Sequence, residues 1–144
     1  MIDSHCHLDL LASKKDLNTA LERAKAAGLT RLMAPSINPH SWQTLQALSS
    51  EYQHLLPIDT ALGLHPYFLS SNECDLKNGI ASLSQEQLVK GQLSELENAA
   101  AMRHPSVKAI GETGIDGHIK VPLKLQQQVF NAHLNVAERC SLPV

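Results

Sequence analysis

Short apolar runs alternate four times along this chain with segments whose apolar residues recur at helical spacing. The first run, residues 2–8, predicts a strand. Ser13-x-x-Asp16 resembles a capping box and opens a predicted helix to about residue 27, with Gly28 at C′. Leu17, Leu21 and Ala24 mark its buried stripe. Residues 30–35 predict the second strand. Asn38-Pro39 then supplies an N-cap with proline at N1, for a helix to about residue 50 with Trp42, Leu45 and Leu48 inward. Residues 58–64 predict a third strand, ending in Gly63-Leu64-His65-Pro66 and followed by a polar loop. Ser84-x-x-Gln87 caps a third helix to about residue 103, and residues 107–112 predict the fourth strand. A fourth helix is expected over 123–140, and Leu142-Pro143-Val144 reads as the start of a fifth strand.

Strands alternating with helices of this length predict right-handed βαβ crossovers and a parallel sheet. An open doubly wound sheet and consecutive units of a (β/α)8 barrel both satisfy the pattern. No G-x-G-x-x-G follows the first strand, which weighs against a dinucleotide-binding sheet. Polar groups gather instead at the carboxyl ends of strands 1, 3 and 4, where a barrel keeps its active site.

Composition narrows the class. A chain of 144 residues supports one domain with a sizeable core, and 43% hydrophobic with 18% charged residues reads as globular. No apolar run reaches a membrane span and no secretory leader pattern opens the chain, so a cytoplasmic protein is expected. Cys6, Cys74 and Cys140 are odd in number and widely spaced, which predicts free thiols. Net charge is −2 and the basic residues are scattered, unlike a broad duplex-binding face. Any phosphate must therefore be held locally, by a metal or a few side chains.

Candidate chemistry begins at His5-Cys6-His7. On a strand, His5 and His7 share a face and Cys6 points away, as a buried small hydrophobe. With His65 ending strand 3 and Glu112 ending strand 4, one barrel mouth would gather all four side chains. Two histidines and a carboxylate suit Zn²⁺, Mn²⁺, Fe²⁺ or Co²⁺, and with added water Mg²⁺. Asp3 is expected to stabilise the end of strand 1, and Asp9 to be merely solvated. His40, His54, His104 and His118 read as surface residues, and His133 as a helix-face residue rather than a ligand.

In chain order the pieces are I-D-S-H-C-H-L-D, G-L-H-P, G-E-T-G-I-D and Q-Q-x-V-F-x-x-H-L-x-x-A-x-x-x-x-L-P-V. Together they resemble the TatD family of metal-dependent hydrolases, many of them deoxyribonucleases, within the amidohydrolase superfamily. The resemblance covers essentially the whole chain. It implies four consecutive βα units, the N-terminal half of a TIM-type barrel, with residues 1–144 a single partial domain. It also implies phosphodiester hydrolysis by metal-activated water, with two divalent ions (Mg, Mn or Zn) in the intact protein and DNA or another phosphodiester as substrate. On this resemblance His5 and His7 bind one metal and Glu112 bridges to a second. On the same resemblance His65 lies by the substrate phosphate or nucleophilic water, and Asp116 is a carboxylate that supports the ligands from behind or orders the loop. Glu112 in G-E-T-G, where related amidohydrolases commonly carry a lysine, favours the TatD branch.

Two departures stand out. TatD-like proteins run to about 260 residues as a full barrel, with further ligands after the point where this sequence ends. Thr113 stands where the family usually has an aliphatic residue. The expectation is weak or absent catalysis by this chain alone, and self-association through the exposed edges of strands 1 and 4. Two rival readings accompany it: hydrolysis of a C–N or carboxyl ester bond, and a non-catalytic metal-binding or self-associating module.

Overall fold

Four apolar runs become four strands, each parallel to its neighbour in the order β1-β2-β3-β4. The computed structural model describes residues 1–13, 16–69 and 84–144. The strands are β1 (Ile2–Asp3), β2 (Arg31–Pro35), β3 (Ile58–Leu62) and β4 (Val107–Ile110). Parallel neighbours need a crossover, and helices supply each one: α1 (Leu8–Ala12) and α2 (Leu17–Ala26), then α3 (Pro39–Tyr52), then α4 (Gln85–Ala101). Helix α5 (Leu123–Cys140) follows β4. The strand order never reverses, unlike a doubly wound sheet with its switch point, so this is the N-terminal half of a TIM-type barrel.

Local chemistry accounts for the helix starts. Asn38 accepts from the Ser41 amide at 2.9 Å, with Pro39 in the first turn, and Ser84 and Gln87 form the reciprocal pair predicted for α4. The box at Ser13 is a correction. Ser13 instead closes α1, its hydroxyl donating to the Leu10 carbonyl at 2.9 Å, and Asp16 caps α2 through Thr19. Leu8, Leu11 and Ala12 pack into one cluster, and that burial turns residues 8–12 helical. The same packing shortens the predicted first strand from residues 2–8 to two residues. The polar loop expected after the third strand, and Cys74 within it, lie outside the described residues.

The core has two parts. Leu8, Leu17, Leu21, Leu32, Leu45 and Ile58 join α1, α2 and α3 to β2 and β3. Leu62, Leu64, Leu96, Ile110, Val129 and Val136 join α4 and α5 to β3 and β4. Each buried leucine or valine contributes roughly 1.5–3 kcal/mol relative to exposure. Residues 142–144 are not a strand, but the Pro143 carbonyl accepts from the Ile110 amide at 2.9 Å, beside β4. Among the described residues no helix is long and apolar enough to cross a membrane.

Candidate metal centre

Beyond Asp3 the backbone leaves the sheet, because the Asp3 carboxylate accepts the His5 amide at 3.1 Å and closes a local turn. It rejoins β2 at Cys6, whose amide donates to the Met33 carbonyl at 3.0 Å. His7 then stands at the N-terminal boundary of α1. His5 and His7 therefore sit in a loop rather than on the expected strand, yet their rings converge. Their Nε2 atoms are 3.3 Å apart, with the ring planes at 81°.

Glu112 reaches the same point from the end of β4. Its amide donates to the Ser36 carbonyl at 2.9 Å, and the preceding Gly111 amide donates to the Leu62 carbonyl at 2.7 Å. The Gly111–Glu112 peptide is cis. Glu112 Oε1 lies 3.9 Å from His5 Nε2, and Oε2 lies 3.8 Å from His7 Nε2. Both spacings exceed hydrogen-bond length. Oε2 is buried and finds no hydrogen-bond partner among the described residues, as is also true of Thr113 Oγ1.

Those observations test whether a divalent cation fits. Two nitrogens bound to one tetrahedral ion at ordinary Zn–N lengths stand about 3.3 Å apart, and the histidines have that separation. The carboxylate oxygens sit slightly outside it. A buried carboxylate oxygen without a partner is costly, and a shared cation would supply one. One donor atom from each of His5, His7 and Glu112 falls within a common 4.8 Å. The donor set and its spacing fit a divalent ion.

His65 approaches without joining that set. Its amide donates to the Ile37 carbonyl at 3.0 Å, and its ring Nδ1 accepts from the Tyr67 amide at 3.2 Å. With Nδ1 accepting, the proton of a neutral ring sits on Nε2. That Nε2 faces Glu112 Oε1 at 4.0 Å, as a donor rather than a lone pair. Asp116 is placed differently: its carboxylate accepts from the His118 amide at 2.8 Å, and 41% of its side chain is exposed. It orders the loop after β4.

Several supporting residues escaped the sequence reading. Gln126, fully buried, brackets Asp116 by accepting from its amide at 2.7 Å and donating to its carbonyl at 3.0 Å, and also donates to the Val121 carbonyl. His133 lies on a helix as expected, but it is fully buried; its Nε2 accepts from the Leu64 amide at 3.0 Å. Both belong to the Q-Q-x-V-F-x-x-H stretch, so uncharged polar residues within an apolar helix face were the available signal. His104, expected at the surface, is half-buried against Ser106. Ser36 carried no signal of its own. The Cys6 thiol is pushed up by burial and then by Asp3 and Asp9, which argues against a nucleophile.

Comparison with known proteins adds a family context. A family model described as TatD related DNase matches residues 2–144. The uncharacterized metal-dependent hydrolase YjjV of Escherichia coli K12 is 33% identical over 144 residues, covering 99% of this chain and 48% of that protein. The crystal structure of YjjV, a TatD homologue, superposes with a TM-score of 0.78 at 31% identity, over 100% of this chain and 49% of that one. Human deoxyribonuclease TATDN3 is 28% identical over 156 residues, covering 100% of this chain and 50% of that protein. The chain thus spans about half the length of the curated relatives it matches.

Proposed function

Because this chain belongs to the TatD related DNase family, we propose that it carries part of a divalent-metal site for phosphodiester hydrolysis, ligated by His5, His7 and Glu112. The observation that carries this reading is the meeting of two imidazole Nε2 atoms, 3.3 Å apart, with a buried and unpaired carboxylate oxygen. A bound divalent ion supplies an activated water and neutralises charge developing on phosphate oxygens. The intact protein would hold two such ions, and Glu112 would contribute a ligand to each.

The protein's own groups do the positioning. His65 Nε2–H donates towards a phosphate oxygen or the attacking water, a role its tautomer suits. Asp3 fixes the backbone that presents His5, and Asp116 holds the loop after Glu112. Next to His65, Phe68 lies 6.0 Å away between ring centroids, and Tyr67 lies 5.3 Å beyond Phe68. Both rings are exposed and offer stacking faces to bases. A net charge of −2 agrees with a phosphate held at one local centre instead of along a basic groove. The similarity to the human deoxyribonuclease TATDN3 supports a DNA substrate.

Titration calorimetry with Mn²⁺ and Zn²⁺ tests the site. Wild type is expected to bind stoichiometrically, Glu112→Gln and His7→Ala to lose that binding, and His65→Ala to keep it. Equal binding by wild type and Glu112→Gln would refute the ligand assignment. In a full-length relative-sized protein, loss of Glu112 should cost more turnover of a nitrophenyl phosphate diester than loss of His65. Faster turnover of carboxyl esters than of the diester would point to the amidohydrolase-type alternative.

A further inference from the structure

Two residues, Ser36 and Gly63, meet the backbone of Glu112. Ser36, at the end of β2, is 1% exposed and serves as a node between three strand ends. Its hydroxyl donates to the Ala61 carbonyl of β3 and accepts from the Gly63 amide at 3.1 Å. Its own amide donates to the Ala61 carbonyl at 3.2 Å, while its carbonyl accepts from the Glu112 amide at 2.9 Å. Gly63 completes the cradle by close approach. A Cβ at this position would overlap the backbone of Gly111 and Glu112. Gly63 has little room to retreat, because Trp42 Nε1 donates to its carbonyl at 2.9 Å.

We propose that Ser36 and Gly63 are positioning residues that set where the Glu112 carboxylate stands relative to His5 and His7, and so set the affinity of the centre for a divalent cation. This rests on the ligand reading above. The physical argument is that backbone contact, with no flexible side chain in between, transmits any displacement directly to Glu112. Carboxylate oxygens 3.8 and 3.9 Å from the imidazoles leave little tolerance for movement away. Outer groups that orient a ligand typically change metal affinity about 10–100-fold when altered.

The test compares Gly63→Ala, Ser36→Ala and Ser36→Thr with Val136→Ala, a packing variant on α5, for Mn²⁺ affinity and thermal stability. Gly63→Ala is expected to weaken Mn²⁺ binding at least about tenfold, with Ser36→Ala intermediate. Ser36→Thr keeps the hydroxyl and should stay closer to wild type. Val136→Ala should lose stability with affinity unchanged. Wild-type affinity in folded Gly63→Ala and Ser36→Ala would overturn the proposal, as would an equal loss of affinity in Val136→Ala. Should Gly63→Ala not fold, the two Ser36 variants decide. A metal-free readout separates this proposal from the ligand reading. The Glu112 amide and the His7 ring resonances should shift in Ser36→Ala and not in Val136→Ala, and unshifted resonances would sink the positioning role. Equal Mn²⁺ binding by wild type and Glu112→Gln would instead remove the ligand reading, leaving the resonance comparison to stand.

Discussion

His133 holds one strand end without contacting the cluster. Its Nδ1–H donates to the Val129 carbonyl at 2.7 Å, and Nε2 accepts from the Leu64 amide at 3.0 Å, one residue before His65. Both bonds together require the neutral ring. Burial pushes the imidazole below its ordinary value, against a smaller opposing effect of the Val129 carbonyl. An unfolded histidine takes up its proton near pH 6.5, while the folded one resists. Below that point the unfolded state binds more protons, so this residue's stabilisation is complete above about pH 6.5 and is lost as the pH falls towards the depressed native value. Urea midpoints measured from pH 8 to pH 5 are expected to decline through this window. His133→Gln should flatten the decline, because the glutamine Oε1 can still accept from the Leu64 amide but does not titrate. An unchanged slope in His133→Gln would assign the pH effect elsewhere.

Elements were legible where local chemistry acts alone. Asn38-Pro39 and Ser84-x-x-Gln87 start α3 and α4 as read, and the span 123–140 matches α5 to the residue. Each of those signals lies within a single turn or one periodic face. The first strand failed for the opposite reason: Leu8, Leu11 and Ala12 are apolar at spacings that serve a strand or a short helix, and their tertiary cluster chose the helix. The loop after β4 is an element-level device of the same kind, since Gln126 of α5 binds both the amide and the carbonyl of Asp116. Gln126→Leu is expected to destabilise the fold by about 1–3 kcal/mol, because the buried Val121 carbonyl and the half-buried amide and carbonyl of Asp116 lose partners. Hydrogen exchange should show the Asp116 amide opening faster in that variant. An unaltered exchange rate would mean the loop is ordered by other contacts.

A half-barrel has two edges. At β4, the Pro143 carbonyl already takes the Ile110 amide. At β1, Met1 and Ile2 are 79% and 61% exposed. We propose that the exposed β1 edge invites a second copy, so residues 1–144 taken alone are expected to self-associate, and light scattering at tens of micromolar should report more than the monomer mass of 15.7 kDa. A monodisperse monomer would remove this expectation.

The residue types of a candidate metal site, and their places at or just beyond the ends of strands 1, 3 and 4, were readable from spacing, although the strand alternation read at His5 and His7 gave way to a loop. Those depend on contacts a few residues apart. The convergence itself was not readable. His5 and His7 meet in a loop shaped by an Asp3 turn, and Glu112 joins them because Ser36 and Gly63 bind or abut its backbone across three strand ends. His65 faces the cluster with a proton rather than a lone pair because of the Tyr67 amide. A linear pattern states which groups are available; which atoms come within 4 Å depends on backbone approaches between segments more than a hundred residues apart, and these exist only once the sheet has formed.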